Sequence, residues 1–323
     1  MTTRTGLILL ATAAGLALAW LARDVLLLAF LGVLIAVVFS FPVNLMVRFL
    51  PRGLAVILVL LALAGILVAL ALIVAPQIAD ELDDLRQNAP RALDQVKGWL
   101  RRHEAAGTAQ HAAEAVRKAG EKAVPALIAA VTGVTSALLV IVLGAFLVAA
   151  PETYRLGVRR LVPQEHEPVF DESYARVGLS LRKWVGAILV SMTIMGTLAA
   201  IGLRIAGIHD WLLLGFLTFL GTFVPYVGAI ASALPGLLVA LAQSPQHALY
   251  ALLVYVAVHV IEGYLIAPLV MKRAVEVKPA LLLAGQGAFA AIFGIPGTVI
   301  ATPALVCAQT LIGYLWTERK LGK

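Results

Sequence analysis

His259 and Glu262 stand three residues apart inside an otherwise apolar run. In a helix that spacing puts both side chains on one face, with Tyr264 one turn or less away. An imidazole beside a carboxylate is the kind of pair that a proton or cation coupling site needs. An ionised side chain at the centre of a bilayer span costs about 2.5–3.5 kcal/mol on insertion scales, so such a residue is a functional candidate by default. The competing reading is a hydrogen-bonded pair that locks the helix, or a Glu262 close enough to the interface to be hydrated beside Lys272 and Arg273.

A second kind of signal lies in the breaks. Gly294-Ile295-Pro296-Gly297 interrupts the next apolar run, and Gly221, Pro225, Gly228, Pro235 and Gly236 interrupt an earlier one. Non-helical backbone at membrane depth survives only where protein or a water-filled cavity satisfies its amides and carbonyls. Helices restarting at Gly228 and Thr298 would turn free N–H groups toward the midplane, an arrangement suited to oxygen-rich or anionic ligands. Thr222, Tyr226, Gln286 and Thr298 are the hydroxyl and amide groups nearest the breaks, although such residues also join membrane helices as structural glue.

Other chemistries find little support. There is no H-E-x-x-H, no G-x-x-x-x-G-K-[ST] and no G-x-S-x-G, so zinc protease, ATPase and serine hydrolase readings fall away and no cofactor is expected. The one acid/base pair open to an intramembrane enzyme is His259 with Glu262. Glu165-His166-Glu167 are adjacent and do not converge on one face, so a solvated loop is expected there and no metal site. The single cysteine, Cys307, lies in an apolar run and excludes an intrachain disulfide.

The elements that must position these residues follow from composition. The chain has 323 residues, 61% hydrophobic and 13% charged, with a mean hydropathy of +0.96. Several runs reach the roughly 20 residues needed to cross a hydrocarbon core of about 30 Å as helix. The expected class is an all-α polytopic membrane protein with about eight membrane helices. The net charge of +7 comes mostly from Lys and Arg between apolar runs, which marks cytoplasmic flanks and excludes a nucleic-acid stripe.

Membrane helices one to three are expected within 1–76, with cleavage after Ala17-Leu18-Ala19 as an alternative for the first. Residues 77–125 read as a soluble amphipathic helical insertion. Residues 126–183 hold the fourth run and a cytoplasmic linker, 184–316 a transport core, and 317–323 a cytoplasmic tail. Positive-inside alternation places both termini in the cytoplasm. It also makes 211–243 begin and end outside and 280–316 begin and end inside, so each is a broken hairpin. A span followed by an outside-entering hairpin, then a span followed by an inside-entering one, is the pattern of an inverted repeat, which points to a transporter's binding site. Ordinary spans kinked at Pro225 and Pro296 are the alternative.

Three stretches give the chain a family resemblance: Gly221-Thr222-Phe223-Val224-Pro225-Tyr226-Val227-Gly228 with Pro235; Glu262-Gly263-Tyr264-Leu265-Ile266-Ala267-Pro268-Leu269-Val270-Met271 with Pro279; and Phe293-Gly294-Ile295-Pro296-Gly297 with Pro303. In order and spacing they resemble the autoinducer-2 exporter family of bacterial inner-membrane permeases, over nearly the whole chain. Tyr264 stands where that family usually has asparagine. The resemblance implies secondary transport: export of autoinducer-2 in some members, sodium or lithium exchange for protons in others, with assembly into homo-oligomers. Pro225, Tyr226, Glu262, Pro268, Gly294 and Gly297 carry the family pattern.

The functional expectation is thus a secondary transporter in the inner membrane, moving a small polar organic molecule between the tips at Pro225 and Pro296 with Glu262 carrying the coupling ion. A sodium or lithium/proton antiporter and a non-transporting membrane scaffold are the rivals. The expected partners are the substrate or cation, the lipid bilayer and further copies of the chain.

Overall fold

The computed structural model describes residues 20–66, 134–266 and 277–322, with positions 15, 17, 18, 68, 268 and 269 beside them. The expected insertion at 77–125, most of the first run and the start of the fourth lie outside the described residues. Every regular element among the described residues is helical. They are α1 Arg23–Met46, α2 Arg52–Ile66, α3 Val134–Ala149, α4 Pro151–Arg159, α5 Glu167–Ile205, α6 Trp211–Gly221, α7 Val227–Gln243, α8 Pro245–Ile261 and α9 Pro279–Ile312. Wide π turns extend α8 through Glu262–Ile266 and α9 through Gly313–Glu318.

Among the described residues four helical stretches are long and apolar enough to cross a membrane, and a fifth arises if α3 and α4 count as one bent span. Large apolar side chains such as Phe146, Leu253 and Val256 are exposed, as a hydrocarbon surround requires. The expected number of eight membrane helices is not reached by this count.

The chain divides into two compact units. One combines Met1–Val59, Ser136–Val185 and Val275–Lys323; the other combines Leu60–Thr135 and Gly186–Ala274. In the first, α1 and α3 cross closely: a Cβ on Gly32 would lie 2.7 Å from Leu143 Cδ2, and one on Gly144 would lie 2.5 Å from Ile35 Cγ2. Arg52 Nε donates to the Val148 carbonyl at 2.9 Å, satisfying an oxygen in the last turn of α3. At Ala150 the chain then turns 85° into α4, with Pro151 at the first helical position.

Helix α5 corrects the sequence reading. The cytoplasmic linker expected within 126–183 is largely helical, and the start of the expected transport core at 184 falls inside a 39-residue helix. At 1.5 Å per residue α5 is about 58 Å long, nearly twice a hydrocarbon core. Hydropathy marks only the part that lipid can cover. The polar part is helical because ion pairs hold it: Arg155 Nη1 to Asp171 Oδ1 at 3.1 Å, Arg159 Nη2 to Glu167 Oε2 at 2.6 Å, and Arg176 Nε to Glu172 Oε1 at 2.5 Å one turn away. Glu165 and His166 therefore sit exposed on a short 3-10 turn and no loop of length exists there. Arg176 also reaches Glu318 Oε2 at 2.7 Å and stacks 4.5 Å over the Tyr314 ring, which fastens the end of α9 to α5.

Helix α9 is continuous by hydrogen bonding yet folded in two. Gly294 has φ 66° and ψ −146°, a conformation open essentially to glycine alone. A Cβ on Gly285 would lie 2.6 Å from Leu305 Cδ1, although 20 positions of straight helix would separate them by about 30 Å. Its arms, 279–293 and 295–312, thus lie side by side, and its length is not that of one span.

In the second unit the C-terminal half of α5 packs with α6, α7 and α8 around Leu203, Ile208, Leu214, Val239, Ala240, Ala251 and Tyr255. Met195 and Ala199 of α5 meet Val258 of α8. The Tyr255 ring lies directly on Gly236, where any side chain would collide with it.

The fold-back of α9 is testable by cross-linking. Gly285→Cys with Leu305→Cys, in a Cys307→Ser background, should form a disulfide readily under mild oxidation, seen as a mobility shift; a straight helix would hold the thiols about 30 Å apart and give none.

Candidate functional site

The first hairpin belongs to the second unit. Helix α6 starts after Asp210 in the left-handed region (φ 54°), where aspartate is one of the tolerated residues. It ends through tightening bonds from Phe223 N to Leu220 O at 3.2 Å and Val224 N to Gly221 O at 2.9 Å. Pro225 then forces a reversal. Val227 N donates to Pro225 O at 2.8 Å, and Gly228 N to Val224 O at 2.8 Å. The first of these closes a three-residue turn with Tyr226 at its apex, φ 63° and ψ −56°. That is the rare γ-turn with positive φ, costing about 1–3 kcal/mol for a residue with a side chain. Gly221 and Gly228 make the close return of α7 on α6 feasible, since a Cβ on Gly228 would run into the Gly221 carbonyl.

The hydroxyls at this tip are largely committed. Thr222 Oγ1 donates to Thr218 O at 2.7 Å and Thr218 Oγ1 to Leu214 O at 2.9 Å, both buried. The amides of Val227 and Gly228, expected to face a ligand, are used within the tip. Tyr226 remains half exposed and carries the phenol that the tip presents.

The second hairpin, α9, belongs to the first unit. Gly294 makes the break, and Gly297, on the returning arm, lies against the Phe289 carbonyl and 2.7 Å, measured from an added Cβ, from Phe293 Cβ. Each tip is thus closed by a glycine of the returning arm placed on a carbonyl of the outgoing arm. Pro296 sits in the first turn of the returning arm, where its missing N–H is tolerated. Thr298 Oγ1 donates to Gly294 O at 3.3 Å. Gln286 is buried on the outgoing arm.

His259 and Glu262 do come together: His259 Nδ1 and Glu262 Oε2 are 2.9 Å apart, with the side chains 26% and 32% exposed. The pair sits where α8 widens into its π turn, and π bulges are frequent at functional sites. The cause lies downstream. The ring of Pro268 cannot coexist with regular helix over the carbonyl of Tyr264, four residues earlier, and it supplies no N–H to that carbonyl. Tyr264, on the wide turn, is 85% exposed. His259 Nε2 is buried and has no hydrogen-bond partner among the described residues. The pair can therefore hold a proton between Nδ1 and the carboxylate while the other ring nitrogen remains available.

Sequence reasoning passed over Thr302. It is buried on the returning arm of α9, and its hydroxyl has no partner among the described residues. A threonine immediately before Pro303 in an apolar run was the available signal. Among the described residues no three His, Cys, Asp or Glu side chains gather as a metal ion would need.

Long apolar helices, two glycine-closed hairpins and an ionisable pair within a span define a multi-pass α-helical membrane protein of transporter type. The chain matches the AI-2E family transporter profile over residues 9–316. It is similar to "Putative transport protein YueF" of Bacillus subtilis, 28% identical over 305 residues, covering 85% of this chain and 80% of that one. It is also similar to "Putative transport protein MT0215" of Mycobacterium tuberculosis, 28% identical over 290 residues with 82% and 77% coverage. A "Putative transport protein" of Thermotoga maritima is 24% identical over 289 residues, with 85% and 83% coverage. The chain belongs to the AI-2E transporter family.

The two tips make opposite predictions. Gly294→Ala should lower stability by about 1–3 kcal/mol, because alanine strains at that φ and ψ. Tyr226→Gly should raise it by up to about 1 kcal/mol by relieving the apex. Thermal unfolding midpoints in detergent check both; equal shifts of the same sign would contradict the two backbone conformations.

Proposed function

We propose that this protein is a secondary transporter of the inner membrane that exports a small polar, autoinducer-2-like organic molecule in exchange for a coupling ion bound at His259 and Glu262. The observation that carries this reading is the 2.9 Å pair in the π turn of α8. A carboxylate in an apolar span is costly unless it binds something, and a neighbouring imidazole lets protonation control what it binds. When the ring is protonated, the carboxylate is neutralised internally. When the ring is neutral, the carboxylate is free to take a cation. Thr222, Tyr226, Gly228 and Pro225 at one tip, and Gln286, Gly294, Pro296, Gly297 and Thr298 at the other, are the proposed substrate-pathway residues, with Tyr264 and Pro268 bounding the π turn.

The same pair supports a second reading, sodium or lithium/proton exchange, because a carboxylate that alternates between an imidazolium and a metal cation is itself an antiport site. Assembly of several copies, cytoplasmic termini, an inverted-repeat relation of the hairpins and the absence of enzymatic activity belong to both readings.

Reconstituted protein in vesicles with an imposed pH or sodium gradient decides. Glu262→Gln should reduce gradient-driven flux at least about tenfold while leaving membrane insertion intact, and His259→Gln should shift the pH dependence of flux. Furanone or polyol tracer movement supports the exporter; cation-dependent internal pH change without tracer movement supports the antiporter. Unchanged flux in Glu262→Gln would remove the pair from the mechanism.

A further inference from the structure

Helix α4 has an uncovered apolar face on the side away from its ion pairs. At 100° per residue, Tyr154, Val158 and Leu161 fall within about 60° of one another, while Arg155 and Arg159 lie on the other side. Arg155 and Arg159 are engaged with Asp171 and Glu167 of α5. Tyr154, Val158 and Leu161 are 41%, 52% and 84% exposed. Arg160, one residue past the helix, is exposed and has no carboxylate partner among the described residues.

The 85° turn from α3 says what covers this face. Helix α3 is apolar and uncharged from Val134 to Ala149, and the Arg52 guanidinium bonded to the Val148 carbonyl marks the level at which charge first appears. A helix leaving a span nearly at a right angle at that level lies parallel to the membrane plane. A short helix with arginines on one side and Tyr, Val and Leu on the other has the composition of a segment that rests in the headgroup and acyl boundary. We propose that α4 is a membrane-surface anchor: Tyr154, Val158 and Leu161 enter the leaflet, and Arg160 binds the phosphate of an anionic phospholipid.

The anchor has a mechanical consequence within its unit. Arg155 and Arg159 tie α4 to Glu167 and Asp171 in the first two turns of α5, so the leaflet holds the polar end of that helix through two arginines. The apolar contact of Tyr154, Val158 and Leu161 and the ion pairs of Arg155 and Arg159 use opposite sides of α4, and Arg160, past the helix end, takes part in neither.

The full-length chain in nanodiscs of phosphatidylcholine, with and without phosphatidylglycerol, tests this. A fluorophore on Leu161→Cys, in a Cys307→Ser background, should be quenched by spin-labelled lipid and protected from iodide. Quenching by iodide instead would overturn the proposal by placing the face in water. Protection from both quenchers would also overturn it, because a second protein surface would then cover the face. Arg160→Gln should reduce the enrichment of phosphatidylglycerol around the protein about fivefold, the effect of one basic residue at an anionic surface, and the wild-type enrichment should fall at high salt. Equal enrichment in Arg160→Gln and wild type would remove Arg160 from the anchor. Arg160 is exposed and outside every ion pair described, so the variant's folding is checked simply by an unchanged elution profile.

Discussion

In hydrocarbon no backbone amide or carbonyl can be left to solvent, and the interrupted elements of this protein are shaped by that rule. Two chains of apolar helix reverse direction, and at each reversal the polar backbone is satisfied locally. At the first tip, successive short-range bonds from Phe223 to Gly228 consume the amides. At the second, a single glycine rotates out of helical space and the returning arm settles on the outgoing one. Proline next to these points removes donors that would otherwise need partners. Among the described residues few buried side-chain polar atoms are left over, and the Nε2 of His259 and the hydroxyl of Thr302 are among them.

The pair at His259 and Glu262 depends on the same rule by another route. Pro268 disturbs the helix behind it, and the disturbance appears as a widened turn at the carboxylate. The pair proposed to bind the coupling ion thus lies where the helix is least regular. The transport family to which the chain belongs is consistent with such a use, and the relatives in Bacillus, Mycobacterium and Thermotoga align with 82–85% of the chain.

Much of this was legible in the sequence. The pairing of His259 with Glu262 followed from a spacing of three, and the break at Gly294 from glycine and proline in an apolar run. The helical continuity of residues 167–183 was hidden, since hydropathy separates lipid-facing from water-facing residues and is silent about whether the helix stops between them. Thr302 carried no pattern beyond its neighbour Pro303; its burial is a product of the folded hairpin. The γ-turn at Tyr226, which takes up the amide of Val227, is one that no residue spacing announces.

The clasp of Arg176 on Glu318 and Tyr314 joins positions 142 apart in the chain. During synthesis the arginine emerges long before its partners, and the contact cannot close until Tyr314 and Glu318 have been added. Until then the polar end of α5 waits with only its neighbours Glu172 and α4 to hold it. A chain cut short by a premature stop after Ile312 would keep every long apolar helix described and lose both partners of Arg176. The clasp is therefore a latch that can close only after every long apolar helix described has been made.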